Sequence, residues 1–111
     1  MEELLNEITD IIQKYKDLKD KLDFKETETI LNLMKNLSSN LSFLEKYLND
    51  ERQAFYATII KLLKNHSATE AEKRAKDLHP EKRMLERFIR SAERVHDSMK
   101  SHQSYLKSIE Q

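Results

Sequence analysis

The chain has 111 residues, with twenty basic and twenty acidic side chains, one proline and neither glycine nor cysteine. Lack of glycine removes the usual source of the positive-φ positions that hairpins and phosphate-cradling loops require, and lack of cysteine excludes disulfides, thiolate metal sites and a thiol nucleophile. A net charge of zero leaves the whole molecule with no long-range pull on nucleic acid or acidic lipid, so any such attraction has to be local.

An apolar content of 38% over this length supports one domain, residues 1–111, with a modest core. The first helix is expected over about residues 2–22, where Leu4, Ile8, Ile11, Tyr15, Leu18 and Leu22 step by four and three and form one seam. Asp23 and Glu26 have capping-box spacing and predict a turn. From Ile30 through Met34, Leu37, Leu41, Leu44, Leu48, Phe55, Ile59 and Leu62 a single register continues, predicting a helix over about 24–64. It has two suspect points. Ser38, Ser39 and Asn40 compete for backbone hydrogen bonds, and Asn49 to Glu51 offers a second break near 49–51.

Lys64, Asn65 and His66 read as a C-terminal turn, followed by two alternative capping boxes, Ser67 with Glu70 or Thr69 with Glu72. A third helix over 68–78 has a thin edge of Ala68, Ala71, Ala75 and Leu78, suited to close approach of another helix. Pro80 begins a fourth helix after His79, or kinks a continuous one. That last helix is expected to run over about 80–109, with Leu85, Phe88, Ala92, Val95, Met99 and Leu106 on one face.

These elements predict an all-α fold, an elongated antiparallel bundle or hairpin of long amphipathic helices. A thin bundle leaves coiled-coil-like seam on its flanks, so a homo-oligomer is expected. No apolar run reaches the roughly 18 residues of a membrane span, and the acidic start Met1-Glu2-Glu3 is unlike a secretory leader. The expected setting is the cytoplasm, with no membrane contact.

Chemistry-bearing motifs are few. His66, His79, His96 and His102 lack metal-ligand spacing, and no HExxH occurs. Serines without glycine form no nucleophile elbow. No catalytic residue, metal or cofactor is therefore assigned, and the expected class is non-enzymatic. Tyr15, Tyr47, Tyr56 and Tyr105 are read as core or interface first, with base stacking as the alternative for any that is exposed.

The most distinctive stretch is EKRMLERFIRSAERVH, residues 81–96, in which Arg83, Arg87, Arg90 and Arg94 follow one another at spacings of four, three and four. They share one helix face, opposite Leu85, Phe88, Ala92, Val95 and Met99. Five of six arginines lie between Arg74 and Arg94, although helix propensity hardly separates arginine from lysine. The planar guanidinium favours a bidentate grip on phosphate or carboxylate. This row, with Lys76 and Lys82 assisting, is the candidate anion- or partner-binding site. A plainer reading stays open: Glu86 with Arg90, and Glu93 and Asp97 beside the row, form exposed ion pairs on a solvated face.

The arrangement AFYATIIKLLKN, SATEAEKRAKDL and LERFIRSAERVHDSMKSHQSYLKSI, over Ala54 to Ile109, resembles the C-terminal two thirds of small helical proteins of tailed phages and prophages. It is similar in layout, more faintly, to the recombination mediator of T-even phages. The resemblance implies an oligomerising accessory factor in DNA recombination or replication that engages single-stranded DNA, a recombinase or a single-strand-binding protein. It carries no individual residue over to this chain. The alternative function is a protein-binding inhibitor or adaptor that masks a host protein through an exposed helix face, without nucleic acid. A coiled-coil spacer is a third class.

Overall fold

The computed structural model describes residues 1–21 and 26–110 of the chain. It is an all-α bundle of four helices: α1 (Glu2–Lys19), α2 (Thr27–Leu62), α3 (Ala68–Leu78) and α4 (Pro80–Glu110). Helix α1 places Glu2 and Glu3 in its first turn and Lys16 and Lys19 in its last, matching charge to the backbone dipole at both ends. It stops at Lys19, before the expected end at 22, and α2 starts at Thr27 instead of 24. The expected seam residue Leu22 and the capping pair's Asp23 lie outside the described residues.

Helix α2 is continuous through both expected break points. Around 38–40 the polar side chains are absorbed by the helix itself: Asn40 Nδ2 donates to the Asn36 carbonyl at 2.9 Å and Ser42 Oγ to the Ser38 carbonyl at 3.2 Å. Leu37, Leu41 and Leu44 are meanwhile buried on the opposite side, so packing outweighs the weak local propensity. At its end the Ser67 hydroxyl caps α3, accepting from the Glu70 N–H at 3.3 Å. The Glu70 carboxylate does not reach back to complete the box and instead receives Arg74 Nε at 3.0 Å.

Between α3 and α4 the break is sharp. His79 leaves the helical region at φ −128°, ψ 63°, because Pro80 disfavours α-conformation in the residue before it, and α4 then begins on Pro80 itself.

Helix α2, about 54 Å long at 1.5 Å per residue, is the spine against which every other helix packs. Arg52 pairs with Glu86, whereas Ser38 and Leu41 share a groove with His96 and Asp97, so α4 runs antiparallel to α2. Leu4 lies beside Tyr47, and Tyr15 beside His102, so α1 is antiparallel to α2 and runs in the direction of α4. Ile8, Ile30, Leu37, Leu44, Leu85 and Met99 are fully buried where these three helices meet, each worth about 1.5–3 kcal/mol in transfer terms. Beyond Phe55, where α4 begins, α2 is accompanied by α3, whose Ala71 and Ala75 are completely buried. Of the expected alanine edge, Ala68 and Leu78 are exposed. The molecule measures 64 × 25 × 19 Å, and among the described residues no helix is long and apolar enough to cross a membrane.

Tyr15 is buried as expected, but Tyr47, Tyr56 and Tyr105 are 44%, 57% and 63% exposed. These three are not core residues. Each sits one or more positions off the buried register of its helix, and the bundle has no fourth long helix to cover the flanks.

Candidate functional site

Helix α4 buries Leu85, Ile89, Ala92, Met99, Gln103 and Leu106, which turns Arg83, Arg87, Arg90 and Arg94 to the outer face. All four are exposed. The row extends about 16 Å along the helix axis, at 1.5 Å per residue.

None of the four guanidinium groups forms an ion pair among the described residues. The expected Glu86–Arg90 pair is absent for a specific reason. Glu86 Oε1 lies 2.9 Å from Lys82 Nζ and 3.5 Å from Arg52 Nε, so its carboxylate is committed toward α2. The Lys82 hydrogen bond, followed by the attraction of Lys82 and Arg52, holds Glu86 below the ordinary carboxylate value against partial desolvation. Glu93 and Asp97 likewise make no ion pair among the described residues. The row therefore presents its charge uncompensated by direct partners.

The two lysines grouped with the row lie elsewhere. Lys82 is half-buried at the joint, with its ammonium 4.6 Å from the centroid of the Phe55 ring as well as on Glu86. Lys76 is on α3 and pairs with Glu72 at 3.4 Å. Only the four arginines form a continuous surface. Arg90 also borders a groove of about 360 Å³ between α2 and α4, where Arg52 faces Glu45 and Glu93 over a floor of Leu48 and Ile89. Its mixed charge favours no one ligand sign.

Two histidines serve as interhelical clamps. The Thr58 hydroxyl lies 2.9 Å from the Ala54 carbonyl of its own helix and 2.7 Å from His79 Nε2. The other ring nitrogen, Nδ1, faces Glu51 Oε2, 3.9 Å away. The order Glu51, His79, Thr58 has the connectivity of a nucleophilic relay. What this geometry does is fasten the α3–α4 joint to α2. His102 plays a similar part at the other end with Tyr15. Among the described residues no three His, Asp or Glu side chains converge as metal ligands do.

Two surfaces escaped the sequence reading. Phe43 and Tyr47, 53% and 44% exposed, line a groove with Met1 and Leu4 of α1. Tyr56, Ile60 and Leu63 form an exposed stripe on the part of α2 beyond the start of α4. Their spacing of four and three was present in the sequence as a second period, out of phase with the buried one. The chain matches no protein-family model, no curated protein and no solved structure.

Proposed function

We propose that the protein is a non-enzymatic helical contact protein whose Arg83, Arg87, Arg90 and Arg94 face binds a polyanion, with single-stranded DNA as the first ligand. In this reading it serves as an oligomerising accessory factor in DNA recombination or replication, of the phage kind that its sequence resembles. The observation that supports the proposal is that, among the described residues, the four guanidinium groups have no ion-pair partner, Glu86 being held by Lys82 and Arg52. A row of exposed guanidinium forks without ion-pair partners is open to bidentate contact with phosphate.

The test is fluorescence anisotropy of a labelled single-stranded oligonucleotide between about 50 and 300 mM salt. With four phosphates neutralised, log K should fall against log salt with a slope of about −3, from roughly 0.7 per contact. Arg87→Ala with Arg90→Ala should weaken binding at least about tenfold at low salt and reduce the slope by about 1.4. Absence of binding at 50 mM salt rejects the proposal.

A second reading is a protein-binding adaptor or inhibitor that covers a host protein, and the exposed Tyr56, Ile60 and Leu63 stripe favours it. It predicts indifference to oligonucleotide at every salt concentration and loss of partner binding on Ile60→Asp.

A further inference from the structure

We infer that the arginine row of one copy docks into the Phe43–Tyr47 groove of a second copy, so that the chain associates head to tail and regulates access to its own row. The inference rests on the row being an anion contact, and it names an anionic surface that this molecule itself provides.

The groove lies between α1 and α2. Its rims carry Glu3 and Glu7 from α1 and Asp50 from α2, and none of these three carboxylates has an ion-pair partner among the described residues. The floor is apolar and aromatic, formed by Leu4, Phe43 and Tyr47. The one lysine at this groove, Lys46, lies with its ammonium 5.2 Å from the Phe43 ring centroid. A cation therefore already occupies that ring face, and a guanidinium is favoured there over an ammonium. The groove thus combines unpaired carboxylates with an aromatic platform, the chemistry that complements arginine.

Register agrees with charge. Glu3 and Glu7 are one helical turn apart, as are Arg83 and Arg87, and Arg90 and Arg94, each separation being about 6 Å. Position decides the kind of assembly. Arg90 borders the groove containing Asn49, which places the row at the height of Tyr47 and Asp50 along the bundle. In a three-helix bundle the outer face of α4 is directed away from the cleft between the other two. Row and cleft consequently lie on opposite sides of one molecule at the same height, so contact between them is heterologous and repeats from copy to copy instead of closing as a two-fold pair.

Sedimentation velocity of the full chain provides the test, in 50 and 500 mM salt. The wild type should gain mass with concentration at 50 mM salt, pass beyond two chains, and return to the single chain at 500 mM as screening shortens the reach of the charges. Glu7→Gln with Asp50→Asn, and separately Arg87→Gln with Arg90→Gln, should each remain single chains. Mixed in equal amounts they should form a two-chain complex that grows no further, because one variant retains its row and the other its groove. Phe43→Ala should weaken wild-type association at least tenfold, which keeps the test valid if circular dichroism finds a charge variant unfolded. A wild type that stays monomeric at 50 mM salt, a mixture that stays monomeric, or a mixture that grows beyond two chains overturns the inference. Complex formation in the mixture, with no oligonucleotide binding by the Glu7→Gln, Asp50→Asn variant, rejects single-stranded DNA as ligand and leaves the head-to-tail contact standing.

Discussion

The Tyr15 hydroxyl lies 3.2 Å from Nδ1 of His102, with the two rings edge to face at 6.1 Å between centroids. It joins the first helix to the last across 87 positions of sequence. Tyr15 is 3% exposed, so its polar oxygen is taken from water and depends on this partner. Tyr15→Phe should lower stability by about 1 kcal/mol, read as a fall in Tm of roughly 4–6 °C for a domain of this size. Burial also raises the Tyr15 pKa above its ordinary value. The folded state therefore holds the phenolic proton more tightly than the unfolded chain. Its contribution is complete below the unfolded value of 10.0 and is lost as pH rises through the higher folded value. Urea titrations at pH 8 and pH 11 should show a steeper alkaline loss for wild type than for Tyr15→Phe.

Glu86 gives the opposite pH signature. Its pKa is lowered, first by the Lys82 hydrogen bond, so its stabilisation is present above the unfolded value of 4.5 and disappears as pH falls through the lower folded value. Glu86→Gln should cost under about 1 kcal/mol at pH 7, the ordinary range for a partly exposed pair. The gap between wild type and variant should close by pH 3 in chemical denaturation.

The His79 clamp holds a weak part of the molecule. Helix α3 has eleven residues and buries only Ala71 and Ala75, too little to be stable without its attachment. His79→Ala should raise amide hydrogen exchange in α3 at least about tenfold while leaving the slowest amides of α2 between Leu37 and Leu48 unaffected. Equal acceleration in both helices would indicate global destabilisation and contradict a local clamp.

Ser39 is exposed in the middle of α2, at the point where local preference argues against a helix. Because α2 is continuous there, Ser39→Ala should stabilise the protein by about 0.5 kcal/mol, the propensity difference between the two residues. A loss of stability would mean that this stretch is strained or bent in solution. The midpoint of urea unfolding measures it directly.

Much of the architecture was legible along the chain because helix periodicity and end signals are local. The buried sides of α1 and α4, the Ser67 cap, the stop at His79 and the start at Pro80 all follow from residues within a few positions of one another. The outward direction of Arg83, Arg87, Arg90 and Arg94 was legible for the same reason, since the face of a helix depends only on spacing. Continuity of α2 was not legible, because Leu37, Leu41 and Leu44 retain the helix through contacts with residues distant in sequence.

What the sequence determined by itself was which side of each helix is apolar and that no sheet forms. What only the tertiary structure decided was which charges remain unpaired and which apolar side chains remain uncovered. Glu86 had Arg90 within one turn, yet it is bound by Lys82 and by Arg52, 34 positions away. The choice depends on how closely α4 approaches α2. Tyr47 and Tyr56 had the composition of core residues, yet α1 and α4 do not cover them. Burial is a property of the space between helices, and a periodicity specifies one face at a time without saying how many neighbours will meet it.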